Sequence, residues 1–155
     1  MALTIGVRVP DFELKNQFGE TVKLSSFIGK KAVTLVFFPL AFTGTCTGEL
    51  CELRDNFSIF ADDNVELMAI SVDNNASLRA FAENQGYEFA LLSDFWPHGA
   101  VAQAFGVFLE GPGYANRATF VIDIDGILRA SFTTAPGEAR PLADYREALA
   151  LVSAP

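Results

Sequence analysis

Residues 32–46 read Ala32-Val33-Thr34-Leu35-Val36-Phe37-Phe38-Pro39-Leu40-Ala41-Phe42-Thr43-Gly44-Thr45-Cys46. The first seven form a near-continuous β-branched, aliphatic and aromatic run, the pattern of a strand buried on both faces. Pro39 stops it, because its ring fixes φ and removes a backbone donor. Thr43-Gly44-Thr45 then supplies cap chemistry for a helix expected to run to about Phe60. Leu50, Leu53, Phe57 and Phe60 recur at helical spacing and give that helix one apolar stripe.

Outward from this unit the same alternation repeats. Residues 65–72 (VELMAISV) form a second buried-looking strand, closed by Asp73-Asn74-Asn75. From Ala76 the pattern turns helical, with Leu78, Phe81 and Ala82 on one face and Asn84-Gln85-Gly86 as its end. Residues 89–92 are a short apolar strand, and residues 100–105 a short helix before Gly106. Residues 117–123 and 126–132 are strands joined through Asp123-Ile124-Asp125-Gly126, an Asp-Gly turn. Leu142, Tyr145, Leu149 and Val152 mark an amphipathic C-terminal helix. Towards the N-terminus, Phe12-Glu13-Leu14 and Thr21-Val22-Lys23 flank Asn16-Gln17-Phe18-Gly19 as a hairpin. This order predicts an α/β protein: a thioredoxin-like fold whose mixed central sheet is flanked by helices, with an N-terminal β-hairpin.

Composition narrows the function classes. The chain has 155 residues, half of them apolar, and shows no repeat or linker, so residues 1–155 are expected to form one domain. A net charge of −8 repels nucleic acid and anionic lipid, and neither is expected as a partner. Two cysteines are too few for a secreted disulfide scaffold. With the single histidine, His98, they offer three candidates for a closed zinc site that needs four. No basic and apolar leader opens the chain, and the apolar stretch at 32–42 is about half the ~20 residues of a spanning helix. A cytoplasmic location is the expectation.

Cys46 falls in the first turn of the helix that follows the buried strand. Free N–H groups and the positive end of the helix dipole converge there and favour thiolate over thiol. The opposing reading, a buried cysteine acting as a small hydrophobe, fits poorly with Thr43, Gly44, Thr45 and Thr47 around it. The string from Pro39 to Cys46 has the form P-x-x-x-T-x-x-C, which resembles the peroxiredoxins, thiol peroxidases that use neither metal nor haem. That resemblance implies a peroxidatic Cys46, a Thr43 that hydrogen-bonds the attacked oxygen, and a Pro39 that shields the thiolate. It also implies an arginine from a distant strand, and Arg117, opening Arg117-Ala118-Thr119-Phe120-Val121, matches in position and context. Read alone, Arg117 is equally a surface strand residue. No cofactor is implied.

Ala41-Phe42-Thr43-Gly44-Thr45-Cys46 with Gly48-Glu49-Leu50, the segment 91–101, and Asn116-Arg117 are similar to the AhpE-type branch of that family. Cys51 departs from it. Its spacing from Cys46 resembles the bacterioferritin-comigratory (PrxQ) branch, in which the second cysteine resolves the sulfenic acid as an intramolecular disulfide. In an intact helix two Cα atoms five residues apart lie roughly 8–9 Å from each other, beyond disulfide reach, so the helix start must unwind. Gly48 weakens it there. Cys51 is thus either a resolving cysteine or a core residue at the edge of the apolar stripe. With resolution, thioredoxin is the natural reductant; without it, the resemblance implies a mycothiol and mycoredoxin-like system.

Glu49, one turn after Cys46, matches a family position and is read as supporting, since an acid in a first helical turn needs no other reason. His98 sits among loop residues and reads as a surface or interface side chain. Phe42, Phe95 and Trp96 fall in loops, where exposed aromatics imply a homodimer, the peroxide entrance, or both. The function expected is reduction of hydrogen peroxide, organic hydroperoxides and peroxynitrite. A thiol redox sensor or a protein-disulfide oxidoreductase on the same fold is the alternative, and the missing C-x-x-C pair argues against the latter.

Overall fold

Strand β3 (Ala32–Phe37) is buried at every position and lies inside the sheet. The computed structural model describes residues 3–62, 64–135 and 137–152, and within them the side chains of residues 45–47, Cys46 included, lie outside the description. On one side β3 pairs in parallel with β4 (Val65–Ser71), which pairs in parallel with β5 (Ala90–Ser93). On the other it pairs antiparallel with β8 (Arg117–Ile122), itself antiparallel to β9 (Leu128–Thr134). The N-terminal hairpin of β1 (Glu13–Lys15) and β2 (Thr21–Lys23) is not a separate appendage. Lys15 pairs with Ser93, so the hairpin extends the same sheet, in the order β2-β1-β5-β4-β3-β8-β9.

Alternation along β3 serves two cores. Val36 and Phe38 face a cluster with Leu50 and Leu53 of α1 (Gly44–Asp55), Phe81 of α3 (Asn75–Gln85) and Tyr145 of α5 (Leu142–Leu149). Leu35 and Phe37 face the opposite cluster with Val101 of α4 (Ala100–Ala104), Phe105 and Phe120. A mixed sheet with helices on both faces is what the strand pattern predicted. Asn74 caps α3 by accepting from Ser77 N–H at 2.8 Å, and Gly86 ends it in the left-handed region at φ 71.

One local expectation is corrected. The helix predicted to reach Phe60 ends at Asp55 and resumes as α2 (Ser58–Asp62). Asn56 leaves the helical conformation, and its side-chain amide donates to Glu52 O at 2.9 Å, competing with the backbone ladder. The stripe survives the break, with Leu50, Leu53 and Phe60 buried and Phe57 packed against them. Between α4 and β8, a segment without a strand pattern in the sequence pairs as a small hairpin, β6 (Phe108–Leu109) with β7 (Tyr114–Ala115). No helix among the described residues is long and apolar enough to cross a membrane.

Candidate active site

Register brings the distant arginine to the loop. Val36 pairs with Thr119, so Arg117, two residues earlier on the antiparallel neighbour, comes beside the end of β3, where Pro39 begins the loop. Residues two apart on a strand share a face, so Arg117 and Thr119 both point towards the side covered by α1 and α5. Arg117 is 1% exposed, not a surface residue.

Its partner there is Glu49, 4% exposed, whose Oε1 accepts from Arg117 Nη1 at 3.0 Å. A second arginine, Arg140, which the motif reading missed, also binds this carboxylate. Its Nε donates to Glu49 Oε2 at 2.8 Å, its Nη2 to Oε1, and its backbone N–H to Oε2. Arg140 Nη1 continues to Thr119 Oγ1 at 3.1 Å, and the Thr119 hydroxyl donates to Tyr145 Oη at 3.2 Å. Burial pushes the Glu49 carboxyl up, but the hydrogen bonds and charge of Arg140, then the charge of Arg117, carry it below its ordinary value. Burial drives the Tyr145 phenol up to about 12, so it stays neutral at physiological pH. Arg117, Glu49 and Arg140 together carry one net positive charge in a dry setting.

Cys46 occupies the first turn of α1, three residues before Glu49. Pro39 is buried at the loop start, and Thr43 is the exposed N-cap residue. Thr43 makes no cap hydrogen bond to the helix. Its hydroxyl turns back and donates to Leu40 O at 2.9 Å, within the loop. Phe42 adopts φ 66, a left-handed conformation rare for a large side chain, and its ring lies 4.9 Å from that of buried Phe81. Ala41 N–H donates to Asp73 Oδ2 at 2.8 Å.

Cys51 is half-buried against the core that includes Leu50 and Tyr87. Its Sγ lies 3.4 Å from both Gln85 Oε1 and Tyr87 Oη. Phe42, Phe95 and Trp96 are 56%, 50% and 80% exposed. His98 Nε2 lies 2.6 Å from Gly113 O, which ties two loops together.

Known proteins resemble this arrangement along nearly its whole length. Alkyl hydroperoxide reductase E of Mycobacterium tuberculosis is 49% identical over 152 residues, covering 98% of this chain and 99% of the relative. The putative peroxiredoxin bcp of Buchnera aphidicola is 38% identical, over 79% of this chain and 80% of its own. The crystal structure of peroxidoxin BcpB from Mycobacterium tuberculosis superposes with a TM-score of 0.83 at 34% identity, covering 97% of this chain and 96% of that one. Fold and relatives together define a thioredoxin-like thiol peroxidase, an oxidoreductase of the peroxiredoxin class. The AhpC/TSA family model matches residues 5–131, and the chain belongs to that family.

Proposed function

We propose that Cys46 is the peroxidatic nucleophile and that Pro39, Thr43 and Arg117 form its immediate surroundings. The observation that carries this reading is the buried Arg117–Glu49–Arg140 cluster one helical turn beyond Cys46. Its single net positive charge is matched by a thiolate, and the helix N-terminus adds to the same preference. Glu49 supports the chemistry by holding both guanidinium groups in fixed orientation, so that Arg117 presents directional donors to the reacting oxygens.

In the reaction the Cys46 thiolate attacks the hydrogen-bearing oxygen of a hydroperoxide. The S–O bond forms as the O–O bond breaks, sulfur gives up two electrons, and the leaving alkoxide takes the proton lost when the thiol ionised. The products are Cys46 sulfenic acid and an alcohol, or water when the substrate is hydrogen peroxide. Thr43 has committed its proton to Leu40 O, so its oxygen serves the incoming peroxide O–H as acceptor. Pro39, buried and without an N–H, keeps water off the sulfur. Alkyl hydroperoxides are the substrate class suggested by the name of the mycobacterial relative.

A thiol reductant returns the sulfenic acid to thiol, releasing water. An external low-molecular-weight thiol with a glutaredoxin-like partner serves the intact helix α1, in which Cys46 and Cys51 are held apart. The second route, a Cys46–Cys51 disulfide reduced by thioredoxin, requires α1 to unwind and Cys51 to leave Gln85 and Tyr87. Intact mass after one equivalent of peroxide under non-reducing conditions separates them. A disulfide loses the mass of two hydrogens; a sulfenate gains one oxygen. Exposed Phe42, Phe95 and Trp96 support a homodimer formed beside the catalytic loop. The whole reading is tested by Cys46→Ser, which should abolish the fast consumption of peroxide; normal turnover in that variant would overturn it.

A further inference from the structure

Strands β3 and β4 run parallel, so the segments following them emerge at the same edge of the sheet. The catalytic loop follows β3, and Asp73 follows β4. Asp73 Oδ2 accepts from Ala41 N–H at 2.8 Å and from the hydroxyl of Ser71 at 2.7 Å. Its own N–H donates to Ser71 Oγ at 3.3 Å, and its carbonyl accepts from Ser93 Oγ at 2.7 Å. Ser71 is fully buried on β4 and Ser93 ends β5, so two strands hold Asp73 in place.

The Ala41 N–H belongs to the same peptide unit as the Leu40 carbonyl, and that carbonyl accepts the Thr43 hydroxyl at 2.9 Å. A peptide unit is rigid and planar, so fixing its N–H fixes the direction of its C=O. A carboxylate on the N–H also polarises the unit and strengthens the carbonyl as an acceptor. The left-handed Phe42 lies between the two anchored points and needs such restraint to persist.

We propose that Asp73 is a positioning residue for peroxide reduction: through the Leu40–Ala41 peptide it orients the Thr43 hydroxyl that receives the peroxide. This rests on the reading of Thr43 and Cys46 given above. The test compares Asp73→Ala and Asp73→Asn with the parent chain in two reactions at Cys46, peroxide reduction by stopped flow and alkylation by iodoacetamide followed at the Cys46 peptide. Alkylation needs the thiolate but not Thr43. Asp73→Ala should slow peroxide reduction about tenfold or more while changing alkylation by less than about threefold. Asp73→Asn, whose amide oxygen still accepts from Ala41 N–H, should regain most of the rate. Equal losses in both reactions, no loss in peroxide reduction, or an Asn variant as slow as Ala would overturn the proposal. Should Asp73→Ala fail to fold, Ser71→Ala, which removes one anchor of the carboxylate, should show the same selective loss in smaller measure; its absence there overturns the proposal equally. The Cys46→Ser control keeps two failures apart: peroxide turnover independent of Cys46 sinks the functional reading, whereas Cys46-dependent turnover untouched by Asp73→Ala sinks only this one.

Discussion

The Glu49 carboxylate accepts from two guanidinium groups and a backbone N–H while almost wholly removed from water. Replacing it by the neutral amide leaves two buried cations facing each other. Glu49→Gln should lower unfolding stability near neutral pH by about 3–5 kcal/mol, measured by urea denaturation. The pH dependence has a definite sign. The folded-state pKa lies below the ordinary 4.5, so the carboxylate's contribution is present above that value and lost as pH falls through the folded pKa. The gap between parent and Glu49→Gln should therefore narrow on acidification below about pH 4.5. Arg117→Lys keeps the charge but loses the planar fork, and kcat/KM for peroxide should fall about 100-fold with the fold intact by circular dichroism. Pro39, Thr43 and Arg117 were legible as candidates because a short motif and a strand opening mark them. Arg140 was not: it lies in a stretch without periodicity, and its partner Glu49 is 91 residues away in the chain. Only the folded chain, which lays the segment after β9 against α1, brings them together.

At the scale of elements, α1 carries the competition between a rigid site and an unwinding one. Beyond its chain neighbours and the backbone of its own helix, a Cβ added at Gly48 would meet no described atom within 4 Å, so no close approach of another segment requires glycine there. Gly48→Ala should stabilise the helix by about 1 kcal/mol and raise the melting midpoint by roughly 2–4 °C. If oxidised Cys46 is resolved by Cys51, the same variant should form the disulfide more slowly, read by quenched mass analysis. An unchanged rate would count against unwinding of α1 on that route. The strand and helix sequence followed from hydrophobic periodicity, but the break at Asn56 did not. The apolar stripe runs straight across it, and only the Asn56 amide hydrogen-bonded to Glu52 O reveals the stop. The β6–β7 hairpin was likewise hidden, since strands of two residues carry no readable alternation.

Among the described residues seven strands share one sheet, and the hairpin is held at its end of that sheet by the Lys15–Ser93 pairing and by the buried Gln17 side chain, which donates to Phe89 O and accepts from Leu91 N–H. Hairpin formation is a local matter and was legible; which edge it joins is a long-range pairing that local pattern does not encode. Trp96, the most exposed of the large hydrophobic side chains described, lies near that edge, lining a cleft of about 380 Å³ with Lys15 and Ser93. The proposed dimer is tested by Trp96→Asp, which should leave only monomer in sedimentation velocity; a parent already monomeric at micromolar concentration would remove the case for a dimer. The 91-residue separation of Glu49 and Arg140 also bears on the order in which the protein acquires its chemistry. Synthesis runs from the N-terminus, so Cys46 leaves the ribosome long before Arg140 exists. A nascent chain therefore carries Glu49 without Arg140, and the carboxylate gains its full set of donors only when the segment before the C-terminal helix has folded back onto α1.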